Sequence, residues 1–219
     1  MVKDDKMSEL GGIKFFGQMT ASATHEIKNT LAIINESAGL LHDLSMMAQK
    51  GHPLSLGRIN DISQRVTRQV AKTDLVIQRL NRFSHSVDQA KAIVDLEKTL
   101  MFVLDLVSRL VQMKEVTIEV IAPLSPLRVD TNLFYLENMI WRAIETACHA
   151  AEGEKKIIIS FGPDTETPLV RFLMDAAKQE LMDDLFGSKE DQALAAYLDI
   201  SIEKNIDNKG FGLLWPKRI

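Results

Sequence analysis

Apolar residues recur at helical spacing in the first part of the chain. From Ile13 to about Gln49 the pattern is helical, and between Ile27 and Leu41 the intervals alternate between four and three positions, which is the heptad spacing of a helix that packs against other helices. A connector with two glycines and a proline, residues 50–57, interrupts this pattern. A second helical pattern runs from about Arg58 to Gln89. We therefore predict an antiparallel helical hairpin.

Each helix of the predicted hairpin carries an apolar stripe. In the first helix the stripe consists of Ile27, Leu31, Ile34, Ala38 and Leu41. In the second it consists of Ile59, Ile62, Val66, Val70, Ile77, Leu80 and Phe83, which we predict to form the buried face. A single hairpin offers too little partner surface for two stripes. Pairing two hairpins into a four-helix bundle buries both, so we predict a homodimer.

The pattern changes after residue 92, where helices and alternating β-branched runs follow one another. Helices are predicted over Val94–Val111, 132–151 and near 189–198; strands over 116–121, 127–129, 156–161, 169–174, near 198–203 and near 211–215. Helices and antiparallel strands in this order predict an α+β sandwich. The predicted organisation is a polar tail over 1–12, the hairpin over 13–92 and the layered domain over 93–219.

Composition excludes several classes of function. The 219 residues carry 26 basic and 30 acidic side chains, so the net charge of −4 gives no electrostatic reason to bind nucleic acid. A single cysteine, Cys148, excludes an internal disulfide and a multi-cysteine zinc site. No apolar run approaches the ~18 residues of a membrane span, and the polar N-terminus lacks a secretion signal. We expect a cytoplasmic protein without direct membrane insertion.

Candidate chemistry gathers around His25 in the first helix. At roughly 100° per residue, His25 points about 200° away from Ile27 and is predicted to be exposed to solvent. Glu26 is placed to accept the imidazole Nδ1 proton, which makes Nε2 a better nucleophile. Asn29 returns to the same face one turn later, where its amide would orient a phosphoryl group or a water. Lys28 adds positive charge for a phosphoryl group.

These residues belong to a longer match. The stretch His25-Glu-Ile-Lys-Asn-Thr-Leu31 resembles the phosphoacceptor box of sensor histidine kinases, H-E-[IL]-[KR]-N-P-L, with Thr30 in place of proline. Residues 80–84 resemble the end of that family's second helix, and the order of elements over 13–219 resembles the family as well. The resemblance implies a dimeric four-helix bundle with His25 as phosphoacceptor, followed by an α/β sandwich of the histidine-kinase ATPase type. It also implies a receiver domain as partner, with Mg²⁺ held by the receiver.

The second half departs from the family pattern at its nucleotide site. Arg142 stands where the family has its metal-binding asparagine, and shifting the alignment offers only Glu145 or Thr146. Asp175 resembles the adenine-binding aspartate, but alanine follows it instead of the glycine of the Asp-x-Gly-x-Gly turn. No glycine occurs between Gly187 and Gly210, where the family has a glycine-rich loop. We therefore expect a degenerate nucleotide site, no ATP cofactor and no metal site in this chain.

Three functions remain open at this point. The first is a histidine phosphotransferase or pseudokinase that carries a phosphoryl group on His25 to or from a receiver aspartate. The second is an active ATP-dependent kinase whose nucleotide contacts have diverged. The third is a non-catalytic scaffold that binds a receiver or pairs with a true kinase.

Overall fold

The computed structural model forms two compact units, Met19–Ser84 and a second one that combines Met1–Gln18 with His85–Ile219. It describes residues 2–88, 91–153, 155–162, 166–178, 186–206 and 209–216, with side chains from residue 11 onward except that of residue 205. The division predicted between residues 92 and 93 stays a prediction.

The predicted helices of the hairpin are confirmed, with a longer first helix. Helix α1 covers Val2–Gln49 and helix α2 covers Leu56–His85, followed by a 3₁₀ turn at Ser86–Asp88. The segment predicted as a polar tail is thus helical from residue 2. The two glycines that end this segment, Gly11 and Gly12, are buried within α1, where a side-chain Cβ on Gly12 would come within 3.0 Å of the Phe134 ring.

The face of α1 that packs inside the unit Met19–Ser84 is polar and small. Ala23, Thr30 and Ser37 are buried at seven-residue intervals, and Val76 and Phe83 are the buried residues of α2. This face differs from the predicted apolar stripes, most of whose residues are partly or fully exposed in the single chain. Val70 and Ile77, predicted to lie on the buried face of α2, are 53% and 42% exposed in the single chain. Their burial against a second hairpin stays a prediction.

The second unit adds helices to a mixed sheet. Its remaining elements are β1 (Ala92–Asp95), α3 (Leu96–Met113), β2 (Thr117–Val120), β3 (Arg128–Thr131), α4 (Leu133–Ala150), β4 (Lys156–Phe161), β5 (Leu169–Met174), α5 (Lys189–Tyr197), β6 (Ser201–Ile206) and β7 (Gly210–Leu214). The main sheet has the strand order β2-β4-β5-β7-β6, and β1 pairs with β3 in a separate two-stranded sheet. This arrangement confirms a helical region followed by an α/β layered domain.

Two details of this unit differ from the sequence prediction. Val94 and Asp95, predicted to begin the third helix, belong to strand β1, and α3 begins only at Leu96, capped by the Asp95 side chain that accepts from the Lys98 amide. The sheet is not wholly antiparallel either, because β2 runs parallel to β4. The crossover between these two parallel strands contains α4.

The core of the second unit lies between the sheet and helices α3 and α4. Alternate residues of β4 are buried, and α3 and α4 each contribute a continuous apolar face. The Phe172 and Phe211 rings stack with centroids 5.1 Å apart. Gly210 allows β7 to pair closely with β5, since a Cβ at this position would lie 2.2 Å from the Phe172 carbonyl oxygen.

Candidate functional site

His25 lies in the middle of α1 and is exposed, as the helical spacing predicts. Its Nδ1 atom is 3.2 Å from the Asn29 side-chain amide, one helical turn further on. This contact brings together two of the predicted site residues. The roles of His25 and Asn29 in phosphoryl transfer stay predictions.

Glu26 is partly buried and makes a contact across the hairpin. Its Oε1 atom lies 3.1 Å from Nζ of Lys72, a residue of α2. Lys28 is exposed on α1. The carboxylate next to His25 is therefore paired with a cation from the other helix, and its predicted role as the acceptor of the imidazole proton stays a prediction.

Thr30, at the position of the family's proline, is 1% exposed and joins the two helices. Its hydroxyl donates to the Ile27 carbonyl oxygen at 2.8 Å, and the Thr73 hydroxyl lies 2.7 Å from it. Because a threonine keeps its backbone N–H, helix α1 continues through this position without the break that proline causes.

Sequence reasoning missed Lys72 and Thr73, although a signal for them exists. In an antiparallel hairpin, residues equally far from the connector face each other. Folding the sequence about residues 49–52 brings Lys72 opposite Glu26 and Thr73 opposite Thr30. It also brings Arg65 opposite Glu36, where the two side chains form an ion pair of 2.8 Å.

Arg142 is held in a network of charged and polar side chains on the second unit. Its guanidinium donates to an Asp191 carboxylate oxygen and, at 3.2 Å, to the side-chain oxygen of the buried Asn138. A second carboxylate, Glu190, lies 3.5 Å away and also accepts from Lys14 at 2.9 Å. The network ties α4 to α5 and ties α5 to the first turns of α1.

Two ionisable groups of this unit have shifted pKa values. The hydrogen bond from Lys14 lowers the pKa of the Glu190 carboxyl; partial burial opposes this shift, and the nearby charges of Lys14 and Arg142 add to it. Burial raises the pKa of the Cys148 thiol to about 11. A thiol with this pKa is protonated at neutral pH, so Cys148 behaves as a small packing residue.

The other residues of the predicted nucleotide site do not converge on Arg142 in any contact that the structure describes. Glu145 is half-buried one turn further along α4. Asp175 is exposed directly after β5. The residues after it contact the end of α4. Ala151 and Ala177 form an antiparallel bridge, and the backbone N–H of Lys178 donates to the Ala150 carbonyl oxygen at 2.9 Å.

The predicted degeneracy of the nucleotide site stays a prediction, and the chemistry of Arg142 bears on it. Mg²⁺ takes oxygen ligands, whereas a guanidinium has five donors and no acceptor. Arg142, which stands at the position of the metal-binding asparagine, is already paired with two carboxylates. Among the described residues, no three His, Cys, Asp or Glu side chains are placed to hold a metal ion.

The comparisons with known proteins give solved structures of histidine kinases. The chain is similar to the histidine kinase AdeS of Acinetobacter baumannii, with 14% identity, 89% of this chain and 98% of that chain covered, and a TM-score of 0.46. It is similar to the catalytic domain of histidine kinase ThkA, with 15% identity, 59% and 98% covered, and a TM-score of 0.47. It is also similar to the cytoplasmic segment of histidine kinase QseC, with 14% identity, 68% and 95% covered, and a TM-score of 0.45.

No protein-family profile matches the sequence, and no curated protein matches it. In the part of the chain that the structure describes, none of the helices combines the length and the apolar character that crossing a bilayer requires.

Proposed function

We propose that the chain is a histidine-kinase-like protein of two-component signalling, and specifically a histidine phosphotransferase or pseudokinase. The observation that carries the proposal is the exposed His25 imidazole, contacted by Asn29, within a stretch that resembles a phosphoacceptor box. In this proposal His25 accepts a phosphoryl group from the aspartate of one receiver domain and returns it to another. An exposed histidine suits this role because it must meet a partner protein.

The proposed transfer makes one bond and breaks one. The His25 Nε2 lone pair attacks the phosphorus of the receiver's acyl phosphate, and the P–O bond breaks with its electron pair going to the aspartate carboxylate. The Nδ1 proton of the resulting imidazolium is accepted by Glu26, and Asn29 orients the phosphoryl group or, in dephosphorylation, a water. Lys28 adds positive charge beside the phosphoryl oxygens. Mg²⁺ belongs to the receiver.

The phosphoryl group is proposed to come from the receiver because the second unit offers poor contacts for ATP. Support comes from the pairing of Arg142 with Asp191 and Glu190 and from the lack of any glycine between Gly187 and Gly210. Backbone that lies close to phosphates commonly needs glycine. We further propose that the transferring species is a homodimer.

Radiolabel transfer tests the proposal. Purified protein is incubated with each phosphorylated receiver domain of the source genome, and in parallel with labelled ATP and Mg²⁺ alone. We expect label on the wild type from at least one receiver, no label from ATP, and no label on His25→Ala in either case. Circular dichroism of His25→Ala should match the wild type, because the side chain is exposed.

Each other outcome selects a rival function. Label from ATP on the wild type but not on His25→Ala would make the chain an active kinase with divergent nucleotide contacts. A receiver that binds the protein without ever transferring label to His25 would make the chain a non-catalytic scaffold.

A further inference from the structure

The side chain of Lys72, a residue of α2, contacts the carboxylate next to His25. Its ammonium lies 3.1 Å from Oε1 of Glu26, the carboxylate next to His25 in the chain. Lys72 is separated from the phosphoacceptor-like stretch by the connector and by four helical turns of α2, so sequence resemblance does not assign it any role. The pairing depends only on the register of the hairpin.

That register is fixed by the neighbouring residue. Thr73 lies 2.7 Å from the hydroxyl of the buried Thr30, and its hydroxyl is also 2.9 Å from the Gln69 carbonyl oxygen. A shift of one helix along the other would break this contact and leave each hydroxyl only the carbonyl oxygen of its own helix, so the contact disfavours sliding. The ion pair between Lys72 and Glu26 is therefore better defined than a pair of two freely moving surface side chains.

The charge of Lys72 matters because the incoming group is anionic. A phosphoryl group that approaches His25 also approaches the negative charge of Glu26, and like charges repel. The Glu26 carboxylate keeps lone pairs for the imidazole proton while one of its oxygens contacts the ammonium.

We propose that Lys72 is a positioning residue for phosphoryl transfer at His25, acting through Glu26. Lys72 holds the Glu26 carboxylate in place and offsets its repulsion of the phosphoryl group. This inference rests on the proposed function, since it assigns a residue to that same site.

The test uses phosphoramidate as donor, so it does not depend on the identity of the receiver. The His25 Nε2–P bond forms, the P–N bond of phosphoramidate breaks, ammonia leaves with the bonding electron pair, and the imidazole proton is lost. Mass spectrometry at neutral pH measures the rate at each histidine. His42 and His52, which are exposed in the same unit, serve as internal standards.

Four variants separate the role of Lys72 from a general effect of charge. We expect Lys72→Met to slow phosphorylation of His25 about fivefold relative to His42, the size expected of one ion pair that acts in the transition state. Lys72→Arg should restore most of the rate. In a Glu26→Gln background, Lys72→Met should have no further effect. Arg65→Met, which breaks the matched ion pair with Glu36 closer to the connector, should leave the rate unchanged.

The outcomes distinguish this inference from the proposed function. Equal rates for Lys72→Met and Arg65→Met would overturn the inference, and so would an undiminished effect of Lys72→Met in the Glu26→Gln background. Both outcomes leave the proposed function standing if receivers still label His25. Failure of every receiver to label His25 would instead overturn the proposed function, whatever phosphoramidate shows.

Discussion

At the scale of single residues, the contact between Asn29 and His25 links the orientation of the Asn29 amide to the ring nitrogen that carries the imidazole proton. An amide nitrogen that donates to Nδ1 leaves the ring proton on Nε2, whereas an amide oxygen that accepts from Nδ1–H leaves Nε2 with its lone pair. Rotation of the side-chain amide by half a turn exchanges these two arrangements. The nucleophilic form of His25 is the second one, in which the Asn29 oxygen accepts from Nδ1–H. In the proposed transfer this proton passes to Glu26 only after the imidazolium has formed.

We predict that Asn29→Ala slows phosphoryl transfer to His25 about fivefold, because one hydrogen bond to the imidazole is lost. Site-resolved measurement of phosphohistidine formation checks this value. Asn35→Ala is the matched control, since Asn35 is another exposed asparagine of α1, six residues after Asn29. Equal rates for both variants would contradict the role of Asn29.

What the sequence reveals at this scale depends on how local the cause is. The exposure of His25 and its proximity to Asn29 follow from the helical period alone, so both could be predicted. The pairing of Glu26 with Lys72 depends on the register of two helices, which the apolar pattern leaves undefined within a turn. The contacts of Arg142 with Asp191 join residues far apart in the sequence, and no local pattern indicates them.

At the scale of elements, Thr30 joins the two helices of the hairpin through its contact with Thr73. We predict that Thr30→Val lowers the free energy of unfolding by about 1 kcal/mol, because the Thr73 hydroxyl loses a partner while the volume is conserved. Urea denaturation measures the change. Thr24→Val, at an exposed position of the same helix, should be nearly neutral, and an equal loss in both variants would contradict the role of the Thr30–Thr73 contact.

Helix α5 forms ion pairs with Arg142 and Lys14 through Glu190 and Asp191. Because these carboxylates must be ionised to pair, the stability that they contribute depends on pH. Because the pKa of Glu190 is lowered in the folded state, its contribution is present above its unfolded value, 4.5, and is lost as pH falls through the folded value. We predict that Glu190→Gln lowers the free energy of unfolding at pH 7 by about 0.5 kcal/mol, a modest value since the pair is partly exposed. Unfolding curves of the variant and the wild type should converge as pH falls below 4.5; a constant difference would contradict this attachment.

The side chain of Arg142 is more deeply placed than that of Lys14, with 19% and 66% of the two side chains exposed. We predict that Arg142→Leu destabilises the second unit by about 2 kcal/mol, because it leaves the half-buried Asp191 carboxylate without this cation. Thermal unfolding measures the loss. Arg128→Leu, at an exposed position of β3, is the control and should change stability little.

Strands β4 and β5 have the bounds that the sequence predicts, because their alternating apolar residues face a core on one side. Strand β1 was not predictable in the same way. Its last two residues, Val94 and Asp95, read as the start of the helix that follows, and their strand conformation comes from pairing with β3, more than thirty residues later. The parallel pairing of β2 with β4 likewise depends on the whole layered domain.

At the scale of the whole molecule, both helices of the hairpin carry apolar residues that remain exposed in the single chain. The inner face of α1 is formed by Ala23, Thr30 and Ser37, whereas Leu31, on the predicted stripe, is 52% exposed. On α2, Val70 and Ile77 are exposed as well. Apolar rows on two adjacent helices are the pattern that a second hairpin covers in a four-helix bundle.

We therefore predict that the protein is a homodimer through these stripes and that Leu31→Glu with Ile77→Glu makes it a monomer. Burying like charges on both copies of a two-fold interface opposes association, because each substitution appears twice. Light scattering after gel filtration gives the mass, expected to fall from about twice 24.6 kDa to a single chain. Leu124→Glu, at a loop position that is 99% exposed in the other unit, is the control and should remain dimeric. A wild-type protein that is monomeric at micromolar concentration would show that no surface joins the chains. A doubly substituted protein that stays dimeric would show that other surfaces join them.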